Sequence, residues 1–243
     1  SFEMGSCQVA SAVVEDNKKR AALGKPPLSG DCAEPDLDAL TNEVPQHRVN
    51  VPRFQMGTTE VTLGQFKKYI IATDGTDTDL VTDDFMKYNP YSNEAPVVHV
   101  SWNEAKNFVV WLNKHKPATD RGTYRLATEA EWEYAASYDP INQIKLKYPW
   151  GDVFEGTWLN FNASFTEFDD GHRDTAPITS YPEGRTIMGI YTLSGNVMEW
   201  VADWYAPLGA APVIDPRGPA SGTDRVLRGG GWMDDVSERP YRA

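Results

Sequence analysis

Short apolar runs separated by polar, glycine- and proline-bearing stretches set the pattern of this chain. It opens on one such run, Phe2 to Met4, and then turns polar from Glu15 to Pro45, which reads as a surface insertion over about residues 7–45. From His47 the apolar positions alternate, with Val49 and Val51 on one face, and this predicts a strand. Pro52 has no amide proton to give to a ladder, so the strand is expected at a sheet edge.

Three helix starts carry one device: a Ser or Thr caps the first turn and a Glu or Gln three residues on reaches back to it. The pairs are Thr62 with Gln65, Ser101 with Glu104 and Thr128 with Glu131. Apolar residues at helical spacing follow each start: Leu63, Phe66, Tyr69 and Ile70, then Ala105, Phe108, Val109 and Leu112, then Ala130, Tyr134 and Ala135. Beyond Ala136 the chain is rich in turns as far as Thr175. Two strands are predicted next, Ile187 to Leu193 and Val197 to Tyr205, joined by a tight turn at Ser194-Gly195-Asn196. A last strand leads from Arg225 into three glycines, Gly229 to Gly231, where backbones can approach closely. With no internal repeat and no dividing linker, residues 1–243 are expected to form a single domain.

Composition narrows the function. Apolar residues make up 40% and aromatics 12%, enough for a packed core, while 19 Gly and 17 Pro favour brief elements joined by turns. A net charge of -12 with no basic cluster longer than Lys18-Lys19-Arg20 excludes a phosphate-binding face, and no nucleic-acid partner is expected. No run approaches the ~20 apolar residues of a membrane helix, so the chain is not expected to span one. The acidic residues read either as a solvated surface or as calcium ligands. Cys7 and Cys32 are the only cysteines. As a disulfide they would close a loop of roughly 25 residues, add ~3 kcal/mol and imply an oxidising compartment; two free thiols are the alternative. The start at Ser1 without a leader fits a signal peptide already removed, and a periplasmic or extracellular location is expected.

Read in order, Glu60-Val-Thr, Val100-Ser-Trp, Tyr124-Arg-Leu-Ala-Thr-Glu-Ala-Glu-Trp-Glu-Tyr-Ala-Ala, Tyr148-Pro-Trp-Gly, Gly189-Ile-Tyr-Thr-Leu-Ser-Gly-Asn-Val-Met-Glu-Trp-Val and Arg225-Val-Leu-Arg-Gly-Gly-Gly-Trp resemble the formylglycine-generating enzyme, or sulfatase-modifying factor, family. The resemblance spans nearly the whole chain. It implies a compact, irregular α+β fold related to C-type lectins, with short helices, small antiparallel sheets and low regular content.

The resemblance also marks departures. The family's enzymes hold copper(I) through two cysteines after the Gly-Gly-Ser-Trp phrase, and here Asp234 and Arg239 stand in those places. Neither a carboxylate nor a guanidinium replaces a thiolate on a soft cuprous ion, so no copper and no formylglycine-generating activity are expected, and no catalytic residue is assigned. The histidines, His47, His99, His115 and His172, lack the His-x-x-x-His-x-Glu spacing of the iron-dependent relatives.

Calcium is the cofactor the resemblance implies. One family site corresponds to Asn160, Phe161, Asp170 and, through its backbone, His172. A second corresponds to Gly195, Val197 and Glu199, with Thr192 where the family usually has Asn or Asp. Two functions follow. The first is a non-catalytic binding or accessory protein that presents Trp232, Asp234, Asp235, Glu238 and Arg239 to a small ligand or protein partner, as lectin-like variable proteins do after the same phrase. The second is a periplasmic oxidative tailoring enzyme in which Asp234, Asp235 and Glu238 are the acid, base or metal-binding carboxylates.

Overall fold

The computed structural model of the chain describes residues 1–4, 43–73, 85, 87, 89, 91–162 and 171–234. Cys7 and Cys32, with the disulfide expected between them, lie outside the described residues, as do Asp170, Asp235, Glu238 and Arg239. The chain divides into two compact units, one of residues 1–52 with 206–216 and the other of residues 53–205 with 217–243.

In the first unit β1 (Phe2–Met4) pairs antiparallel with β2 (His47–Asn50), Phe2 facing Val49 and Met4 facing His47. Alternation decides the faces: Phe2, Met4, His47 and Val49 are buried, while Arg48 turns outward to an exposed ion pair with Glu3 at 3.2 Å. β2 is the central strand and not an edge, because Val49 and Asn50 also pair, in parallel, with β6 (Val213–Ile214). Pro52 does not prevent this, since the ladder ends at Asn50 and the proline is never asked for an amide proton.

In the second unit all three predicted capping boxes form. They open α1 (Leu63–Ala72), α2 (Trp102–His115) and α3 (Glu129–Ser137). α1 and α2 meet through an aromatic cluster in which Phe66 stacks on Phe108 with centroids 5.3 Å apart and Tyr69 stands edge-on to both. α3 is buried on nearly all sides. Trp132, Ala135 and Ala136 join Val201 and Val226 in the main core, and Glu131 and Glu133 are buried beside them.

α3 is followed by the small hairpin β3 (Tyr138–Asp139) and β4 (Ile144–Lys145). β5 (Glu199–Trp204) pairs antiparallel with β7 (Arg225–Arg228), Glu199 opposite Arg228, with an irregularity before Trp204. Residues 187–193 form no strand. Gly189, Thr192, Gly195 and Asn196 all have positive φ, a backbone that cannot stay in a ladder. That segment is instead a series of turns that aims groups inward, and the partner of β5 comes from β7.

Indole N–H groups fix this frame: Trp102 Nε1 donates to the Val201 carbonyl and Trp200 Nε1 to the Val100 carbonyl, each at 2.8 Å. Arg225 lies between two tryptophans, its guanidinium carbon 3.6 Å from the Trp102 ring centroid and 3.5 Å from that of Trp204.

A buried amide and carboxylate network as candidate metal centre

The turns at 192–196 place Asn196 in the left-handed region, φ 65°, with no exposed surface. Asn tolerates this backbone, and Gly195 before it, φ 77°, is required: a Cβ there would stand 2.4 Å from the Asn160 carbonyl oxygen. The two chains are that close because Asn196 N donates to Asn160 O at 2.8 Å.

The Asn196 side chain is fully engaged. Its Oδ1 accepts from Asn160 Nδ2 at 3.1 Å and from the Ala176 amide at 2.9 Å. Its Nδ2 donates to both Glu60 oxygens, at 3.0 and 3.2 Å, and to the Ala176 carbonyl. Asn160 Nδ2 also donates to the Asp174 carbonyl at 2.8 Å. Its Oδ1 is left buried with no hydrogen-bond donor. A buried carboxamide oxygen without a partner costs about 1–3 kcal/mol and is uncommon enough to call for a cause.

Glu60 is the second anomaly. Burial pushes its carboxyl well above the ordinary carboxylate range, and the nearby Glu199 raises it further. Thr192 and Asn196 work in the other direction; the buried Thr192 hydroxyl faces Glu60 yet makes no hydrogen bond of normal geometry. Burial also pushes Glu199 up to about 7, against the pull of its bond from Trp132 Nε1 at 2.7 Å. Among the described residues, no basic side chain pairs with either carboxylate. Arg228, across the strand from Glu199, points instead to Glu133 at 2.8 Å and Glu129 at 3.7 Å.

Two neighbouring carboxylates without a counter-charge, an orphan amide oxygen and an unbonded buried hydroxyl form a donor set made of oxygen alone. A hard divalent cation matches it and a soft one does not. Among the described residues no group of three or more His, Cys, Asp or Glu side chains gathers to hold a metal ion, so a hard cation here would draw on amide and carbonyl oxygens beside one or two carboxylates. Asn160 is held against the 174–176 segment, its Nδ2 donating to the Asp174 backbone carbonyl with Ala176 in the same network, while Asp170 lies outside the described residues. His172 lies nearby in sequence, with its ring edge-on to Tyr181 at 6.1 Å. The contact with the Asp174 carbonyl was not foreseen, because it is made through the main chain and carries no residue-type signal. Gly195, Val197 and Glu199 remain together on the turn into β5. Glu60 and Asn196 were also missed, although both lie within quoted phrases, because sequence does not show which polar residues fold inward.

The expected presentation loop sits against the same network. Trp232 N donates to Asn196 O at 2.9 Å, and Asn162 N donates to Asp234 O at 3.1 Å. Asp234 closes its own turn, its carboxylate accepting from Gly231 N at 2.8 Å while its amide donates to Gly231 O. Met233 projects outward, 72% exposed.

The fold is thus an irregular mixed α+β one of low regular content, with buried carboxyl and carboxamide groups behind a glycine turn. Residues 23–242 match the sulfatase-modifying factor enzyme 1-like domain, and the chain belongs to that family. It is 39% identical to the formylglycine-generating enzyme of Streptomyces coelicolor over 152 residues, 57% of this chain and 42% of that one. It spans between 32% and 45% of the length of three curated relatives that it matches. Among solved structures it is similar to PvdO from Pseudomonas aeruginosa, with TM-score 0.65, 22% identity and coverage of 99% of this chain and 84% of that one. It also resembles Treponema denticola variable protein 1, with TM-score 0.59, 22% identity and coverage of 84% and 81%. These two establish the fold.

Proposed function

We propose that this chain is a non-catalytic binding or accessory domain acting in the periplasm or outside the cell, which holds calcium beneath a loop that contacts a protein partner or small ligand. The observation that carries the reading is the engagement of Asp234. At a place where the family's enzymes carry a copper cysteine, its carboxylate is tied to Gly231 N in its own turn, so it serves the shape of the loop and is not held free as a proton acceptor.

Asn160, Phe161, Asp170 and the backbone of His172, with the Asp174 carbonyl beside Asn160, would hold one calcium ion; the turn Gly195 to Glu199, with Glu60 behind it, would hold the other. When bound, calcium supplies positive charge to carboxylates that otherwise have none. Trp232, Met233 and Asp234, followed in sequence by Asp235, Glu238 and Arg239, then form the contact loop.

Elemental analysis of the natively purified protein, read with its co-eluting chains on size exclusion, tests this. Stoichiometric calcium without copper or iron is expected. A lone monomer carrying stoichiometric copper or iron would overturn the reading in favour of an oxidative tailoring enzyme.

A further inference from the structure

We infer that Asn196 makes the order of the 231–234 loop depend on cation occupancy, so that the contact surface forms fully only when the buried sites are loaded. The inference rests on the calcium reading above and adds a path. Asn196 bonds to both candidate ligand sets and to the loop. Its Oδ1 accepts from Asn160, its Nδ2 donates to Glu60, and its own carbonyl accepts the Trp232 amide at 2.9 Å. A second tie runs from the Asn160 segment: the Asn162 amide, next but one to the orphan oxygen of Asn160, donates to Asp234 O at 3.1 Å.

The physical cause is local. Without a cation, Asn160 Oδ1 has no partner, and the chains that Asn196 joins are held by its own hydrogen bonds to Asn160, Ala176 and Glu60. A cation that takes Asn160 Oδ1 fixes the Asn160 side chain, and with it the donor to Asn196 Oδ1. This holds the Asn196 backbone in place, and the Trp232 amide bonds to that backbone. Local opening that exposes this amide then becomes rarer.

Amide-resolved hydrogen exchange on the full chain, with free calcium set by a chelator and binding followed in parallel by calorimetry, tests the inference. The Trp232 and Asn162 amides are expected to exchange at least about tenfold more slowly at saturating calcium, with the Lys116 amide at the end of α2 unchanged. Asn196→Gly keeps the φ 65° backbone free of strain while removing the side chain; at calcium concentrations where calorimetry shows the variant loaded, the response at Trp232 is expected to be lost. Calcium binding by calorimetry with unchanged exchange at Trp232 and Asn162 in the wild-type chain overturns the coupling and leaves the calcium reading intact. Absence of any calcium binding overturns both. A full Trp232 response in Asn196→Gly removes Asn196 from the path. The wild-type titration decides the coupling even if the variant does not fold.

Discussion

Thr192 carries a β-branched side chain at φ 52°, where L-residues are crowded and Asn or Gly is the usual occupant. That strain is worth about 1–2 kcal/mol, and its hydroxyl gains no hydrogen bond in return. Thr192→Asn is therefore expected to raise stability by about 1 kcal/mol, read as a higher urea midpoint. It is also expected to tighten calcium binding by calorimetry, because a carboxamide oxygen beside Glu60 is a better calcium ligand than a hydroxyl. A neighbouring position works in the opposite sense. Gly195→Ala puts a methyl group against a backbone carbonyl that cannot move without breaking the Asn196 N to Asn160 O bond. A loss of at least about 3 kcal/mol is expected, and wild-type behaviour in a urea titration would show that the turn is looser than drawn.

At the scale of elements, α3 is tied to its surroundings by three carboxylates in its first turn and a half, Glu129, Glu131 and Glu133. Burial alone would raise Glu131, but the fork of Arg125, both contacts at 2.6 Å, and the Thr128 cap hold it below the ordinary range. Glu133 takes Lys145 and Arg228, each at 2.8 Å. Glu129 is left with Arg228 at 3.7 Å, and burial pushes it up to about 7, Arg228 drawing it down while Glu133 and Asp203 add to the rise. A folded pKa above the unfolded value means that the native state holds a proton the unfolded chain has released, so this group loses stability as pH rises from about 4.5 to 7. Glu129→Gln should stabilise the protein by about 1–3 kcal/mol at pH 8 and change little at pH 5. Equal effects at both pH values would show that Glu129 is not the titrating group.

These elements were legible in sequence to unequal degrees. The caps are local, three residues apart, and each formed where Thr62, Ser101 and Thr128 predicted. Ile187 to Leu193 misled because apolar alternation does not register a positive φ at Thr192, and the central place of β2 depends on Val213 and Ile214, far off in the chain.

Over the whole molecule, what was legible is the family and the fold, carried by six phrases in order. What was not legible is which polar residues of those phrases turn inward together: Glu60, Asn160, Asn196 and Glu199 are joined by contacts spanning up to 136 positions. That buried set governs how the protein should respond to pH and calcium together. Glu60 and Glu199 are both raised, Glu199 to about 7, so in a chelator the folded state should weaken as pH rises through about 4.5 to 7, by at most about 3 kcal/mol for Glu199. Calcium competes with those protons: its binding should be weak at pH 5 and strong at pH 8, where the carboxylates are charged. Adding calcium at pH 8 should then restore the lost stability, by an amount that grows with the logarithm of its concentration, and should leave the smaller slope due to Glu129. Urea midpoints at pH 5 and pH 8, each with chelator and with calcium, measure all four states. If calcium raises the midpoint equally at both pH values, its ligands are not these carboxylates; if it raises neither, the folded chain holds no calcium here.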